Sequence, residues 1–93
     1  MDEPLLIVED RFYISGQGTV IEPSPLPEVV GADNRVGMVH TAQVRLVRPD
    51  QTEETVQANF SWAHFNPGGY RFICLLPGVK KEQVPSGTQV WRL

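Results

Sequence analysis

The 93-residue chain has a single cysteine, Cys74, two lysines, Lys80 and Lys81, and no long apolar run. A lone cysteine rules out an internal disulfide and supplies no thiolate cluster for a metal, which points to a reducing, cytoplasmic setting. No apolar stretch approaches the roughly 18–20 residues that cross a bilayer, so no membrane partner is expected. The start, Met1-Asp2-Glu3-Pro4, is acidic and the chain turns charged again at Glu9-Asp10. That is the reverse of the basic start and apolar core of a signal peptide. Helical patterning is missing too: no stretch keeps a 3.6-residue apolar period, and eight prolines and eight glycines punctuate the chain.

Patterns that carry chemistry are equally scarce. Neither lysine lies in a Gly-x-x-x-x-Gly-Lys-Ser/Thr loop, whose amides and lysine neutralise nucleotide phosphates, so no nucleotide hydrolysis is expected. His40, His64 and Cys74 fall on three different expected strands, at spacings that match no zinc pattern. His64 reads as a strand-end residue near a turn, and Cys74 as a small core hydrophobe whose apolar surroundings silence the thiol. Ser15 and Ser61 lack the context of a nucleophile elbow. No catalytic residue, cofactor or metal is expected, and the chain reads as a non-enzyme.

What is present is a globular composition, 41% apolar and 20% charged, with a net charge of −3. The length fits one domain spanning residues 1–93. Charge is divided unevenly. Residues 1–34 hold seven acids against Arg11, a local net of −6, whereas residues 35–93 hold seven bases against four acids, a local net of +3. A general nucleic-acid binder would show a basic footprint throughout.

Short β-branched or aromatic runs between turn residues indicate an all-β barrel or sandwich. In Thr55 to Trp62, Val56, Ala58, Phe60 and Trp62 alternate with polar residues, so one face is apolar. Thr41 to Val47 alternates likewise through Ala42, Val44 and Leu46. Arg48-Pro49-Asp50-Gln51-Thr52 joins the two as a hairpin turn. Asn66-Pro67-Gly68-Gly69 marks another turn before Tyr70 to Leu76, whose run Ile73-Cys74-Leu75-Leu76 reads as a strand covered on both sides. Pro77-Gly78 stops it. Val79 to Val84 is expected to form one helical turn, followed by a last strand from Thr88 to Leu93. Leu5 to Val8, Arg11 to Ile14 and Thr19 to Ile21 are further strands. Residues 22–37, with Pro23, Pro25 and Pro27, read as an edge or a surface loop because proline cannot donate to a ladder.

Three segments resemble one family. The segment Leu5-Leu6-Ile7-Val8-Glu9-Asp10-Arg11-Phe12-Tyr13-Ile14-Ser15-Gly16-Gln17-Gly18-Thr19-Val20 is similar to the opening of domain 2 of elongation factor Tu-type translational GTPases. Val44 to Val47 and Thr55 to Phe60 resemble that domain's central hairpin, and Arg71 to Trp91 its closing segment. The resemblance implies a small closed, mostly antiparallel six-stranded barrel, with Gly16 and Gly18 flanking a sharp bend. It implies contact with RNA, tRNA or the ribosome as one function. Departures are specific: Ile21-Glu22-Pro23 cuts a strand short, Gln17 stands where arginine is common, and no acid lies between Thr55 and Trp62 to hold a ribose.

Two functional expectations follow. The first is a protein–protein interaction module using the acidic N-terminal half and the proline-rich stretch 22–37. The second is an RNA or tRNA contact through Arg45, Arg71, Lys80 and Lys81, with Trp62, Phe65 and Tyr70 as a stacking surface. Gly16, Gly18, Gly68, Gly69 and Gly78 are assigned to turns.

Overall fold

The longest ladder is the antiparallel pair β4 (Val39–Val47) and β5 (Glu53–Phe65), in unbroken register from Val39 opposite Ser61 to Val47 opposite Glu53. The fold is a computed structural model that describes residues 3–32, 35, 37–65 and 67–93, with Phe65 described by its backbone. The period-2 alternation settles which face is buried: Val44, Leu46, Ala58 and Phe60 go inward, while Thr41, Gln43, Arg45, Thr55 and Gln57 face water. In the turn between them, Asp50 Oδ1 accepts from Thr52 N at 2.9 Å and from Thr52 Oγ1 at 2.6 Å. The Thr52 hydroxyl and then its backbone N–H, with Arg48 nearby, hold the Asp50 carboxyl below its ordinary value. Both bonds stabilise the carboxylate form.

Around this hairpin, β1 (Leu6–Ile7), β2 (Asp10–Ile14), β3 (Gly18–Glu22), β6 (Gly69–Pro77) and β7 (Gln89–Arg92) complete one antiparallel sheet. Its order is β1-β7-β4-β5-β6-β3-β2, a seven-stranded half-barrel. The expected closed six-stranded barrel is therefore corrected. No ladder joins the outer strands β1 and β2; they are consecutive in the chain instead, and the apolar N-terminal run divides because it changes partner. Val8 N donates to Thr88 O and Val8 O accepts from Gly87 N, whereas Glu9 N donates to Glu22 O. One peptide step thus ties both outer edges together.

The core is Leu6, Val8, Ile21, Val44, Leu46, Ala58, Phe60, Cys74, Leu76, Val79, Val84 and Val90. Burying a side chain such as Phe60 or Leu46 contributes about 1.5–3 kcal/mol. In β6 the apolar run splits by face, with Cys74 and Leu76 buried and Ile73 and Leu75 half-buried. Burial alone pushes the Cys74 thiol up to about 12. The two buried hydroxyls are satisfied: Thr19 Oγ1 donates to Val79 O at 2.7 Å, and Thr88 Oγ1 to Pro85 O at 2.6 Å.

Two short non-strand segments sit at opposite ends of the sheet. After β6, the segment containing a single 3-10 turn over Lys81–Gln83 buries Val79 and Val84. Arg48 anchors it, with Nε donating to Gln83 O at 2.6 Å while the guanidinium also meets Glu54. At the other end β3 stops at Glu22, before Pro23, and a helix of four residues, α1 (Pro27–Val30), follows. The sequence had this stretch as edge or loop. Proline at the first helical position and Gly31 at φ 75° after the last explain the helix.

The bend between β2 and β3 is the tightest point. Gly18 lies at φ 147°, and a Cβ on it would stand 2.2 Å from the Leu76 carbonyl oxygen. Gly16 has φ 79° with open space around its Cβ position. Gly68, Gly69 and Gly78 have φ of 122°, 76° and 70°.

Candidate functional site

The residues singled out in the sequence do not converge on one face. Arg45 points outward from β4, opposite Trp91 on one side and Thr55 on the other, with its Nε 3.5 Å from Glu53 Oε1. Arg71 lies toward the start of β6 and pairs with Glu22 at 2.5 Å. Lys80 and Lys81 follow the far end of that strand. Six residue steps along the strand separate Arg71 from Pro77, roughly 20 Å at ~3.3 Å per residue. The lysines line a shallow recess of about 290 Å³ together with Tyr13 and Glu82, so a carboxylate accompanies the two ammonium groups.

The aromatics are arranged more tightly. Beyond the last β3 and β4 pairings, β5 and β6 continue as a two-stranded ribbon in which Trp62 faces Phe72 and His64 faces Tyr70. The rings of Trp62 and Phe72 lie 5.4 Å apart, and those of His64 and Tyr70 meet edge-on at 5.1 Å. Phe60 continues the series inward, 6.3 Å from Phe72. Such cross-strand pairs each stabilise the ribbon by about 0.2–1 kcal/mol. Trp62 is therefore half-buried packing rather than a free stacking platform, and its Nε1 is buried without a hydrogen-bond partner among the described residues. Tyr70 is 53% exposed at the ribbon's end. The expected role of Phe65 concerns a side chain outside the described residues.

A different surface gathers the larger concavity. An open groove of about 670 Å³ is lined by Glu3, Pro4, Leu5, Val29, Arg45, Trp91, Arg92 and Leu93. Alternation along β7 sends Val90 into the core and Trp91 outward, where its Nε1 donates to Gln89 Oε1 at 2.9 Å. From the guanidinium of Arg92 a hydrogen bond reaches Val29 O, fastening α1 to the β7 end of the groove. Exposed beside this fastening are Leu26 at 62% and Val29 at 45%. Of the residues singled out in the sequence, Arg45 lines this groove. The available signal was Pro27 opening a one-turn helix that leaves Leu26 before it and Val29 on it.

Chemically, the groove is mixed, with apolar side chains from Leu5, Val29, Trp91 and Leu93 set among two guanidiniums and a carboxylate. Among the described residues no three histidine, cysteine or acidic side chains are grouped to hold a metal, and no helix is long and apolar enough to cross a membrane. No protein-family model, no curated protein and no solved structure matches the chain.

Proposed function

We propose that the chain is a non-catalytic binding module whose partner is another protein, docked on the groove between α1 and β7. The observation that carries this reading is the exposure of Val29 and Leu93 beside Leu5 and Trp91 in the groove. Contiguous apolar side chains rimmed by charge are the usual composition of a protein contact, with arginine and tryptophan enriched. Kinship with domain 2 of the elongation factor Tu-type GTPases belongs to the same proposal. Its support is the Gly16-Gln17-Gly18-Thr19-Val20 segment, which forms the β2–β3 bend, together with the order of the three resembling segments along the chain. A cytoplasmic setting rests on the single thiol.

Contact with RNA or tRNA is the competing reading. It is weakened by Arg45 and Arg71 having carboxylate partners and by the distance of Arg71 from Lys80 and Lys81 along β6. Site-specific photo-crosslinking in cells tests the choice. A crosslinker at Val29 should capture a discrete protein that one at Gln57, on the polar outer face, does not, and Leu93→Asp should abolish the capture. Micromolar binding of labelled tRNA that weakens with salt and with Lys80→Glu would reverse the assignment.

A further inference from the structure

The sheet leaves several stretches of strand without a ladder partner, and most carry a device that discourages pairing. β1 is two residues long and lies between Pro4 and Glu9. β2 opens with Asp10 and Arg11. The β6 segment beyond β3, Gly69 to Ile73, carries Arg71 in its ion pair with Glu22. Short edges, charges and prolines are the ordinary means of blunting a sheet edge.

β4 differs. β7 pairs with it only from Val44 to Val47, so Val39-His40-Thr41-Ala42-Gln43 has a ladder partner on the β5 side alone among the described residues. This run contains no charge and no proline, and its register with β5 is unbroken by a bulge. Val39 is 58% exposed, with Thr41 and Gln43 exposed on the same outer face and Met38 exposed just before them.

We infer that this edge pairs with the same edge of a second copy, antiparallel about a two-fold axis at Thr41. The geometry then sets Thr41 against Thr41, His40 against Ala42, and Val39 against Gln43. In an isologous contact each residue meets its own counterpart or a near neighbour. A formal charge at position 41 would therefore face its own copy, and the run from Val39 to Gln43 carries none. At the axis Thr41 meets Thr41, a favourable cross-strand pair, and Val39 of each copy lies beside Gln43 of the other. The two half-barrels merge into one continuous sheet, leaving the α1–β7 groove of each to its own partner. A five-residue ladder is small, so self-association should be weak, with Kd roughly 10⁻⁵–10⁻³ M.

Sedimentation equilibrium of the 93-residue chain over that range tests the inference. The mass should rise from monomer toward dimer. Thr41→Lys and Thr41→Glu, both at an exposed outward position, should each weaken association about tenfold or more while leaving the melting temperature unchanged. Mixing the two variants should restore it. Thr41→Cys should yield a symmetric disulfide dimer under mild oxidation, whereas Gln57→Cys, one strand away from the edge, should not; buried Cys74 will not interfere. A monomer at every concentration overturns the inference. So does a dimer indifferent to Thr41→Lys but lost in Val29→Asp, which would put the self-contact at the groove.

Discussion

Replacing Gly18 with alanine is the sharpest perturbation this fold allows. The new Cβ would stand 2.2 Å from the Leu76 carbonyl oxygen, 2.9 Å from Gly78 N and 3.0 Å from the Leu76 carbonyl carbon. All three are backbone atoms, so no side chain can turn aside, and β3 must separate from β6 at the start of their ladder. Gly18 also sits at φ 147°, where a side chain costs roughly 1–3 kcal/mol. Overpacking against a fixed wall adds about 1–3 kcal/mol. The combined loss is on the order of 4 kcal/mol, against a total stability of about 5–14 kcal/mol for a domain of this size. At ~4–8 °C per kcal/mol, the melting temperature should fall by roughly 15–30 °C. Gly16→Ala is the matched control, because φ is 79° but nothing lies within 4 Å of the added carbon. Only the backbone penalty remains there, about 1 kcal/mol. Thermal and urea unfolding followed by tryptophan fluorescence would read both variants. Equal destabilisation by the two substitutions refutes the reasoning, since it would mean the approach of Gly18 to β6 contributes nothing.

Two further outcomes follow from the packing. Arg48→Met keeps the stem but removes the bonds to Gln83 O and Glu54, and should destabilise by about 2 kcal/mol in urea unfolding; a change under 0.5 kcal/mol would show that the 3-10 segment is held by Val79 and Val84 alone. Cys74 should stay unreactive toward thiol reagents until the chain unfolds. Its pKa is raised from 9.0 to about 12 in the folded chain, so stability is unaffected below pH 9 and falls as pH rises from 9 toward 12, where the unfolded thiol ionises first. Cys74→Ala should flatten that alkaline limb.

How much of this was legible in the residues depends on how local the cause was. The alternation Val56, Ala58, Phe60 identified a strand and its inner face, because a half-buried strand writes its environment at period 2. The Arg48–Thr52 turn was legible because Asp50 caps its own neighbours. The number of strands was not. Val8 and Glu9 bond to different partners, Thr88 and Glu22, and the exchange depends on residues far away in sequence. The helix α1 is too short for any period to register, and only Pro27 hinted at it. Of the candidate binding residues, Arg71 looked available because nothing adjacent in sequence marks Glu22 as its counter-ion. Trp91 could not be told from a core aromatic by type alone, and the inward position in β7 goes to Val90.

The step at Val8–Glu9 also sets an order of events during synthesis. Leu6 pairs with Val90, so β1 is completed only once β7 has been made. At about 5–20 residues per second, the N-terminal arm waits roughly 4–17 s for its partner. Through that interval Leu5, Leu6, Ile7 and Val8 have no β7 to cover them, and β2 can form its hairpin with β3 without drawing them along. The acidic pair Glu9-Asp10 stands at that junction, a solubilising charge beside the apolar segment that waits longest for its partner.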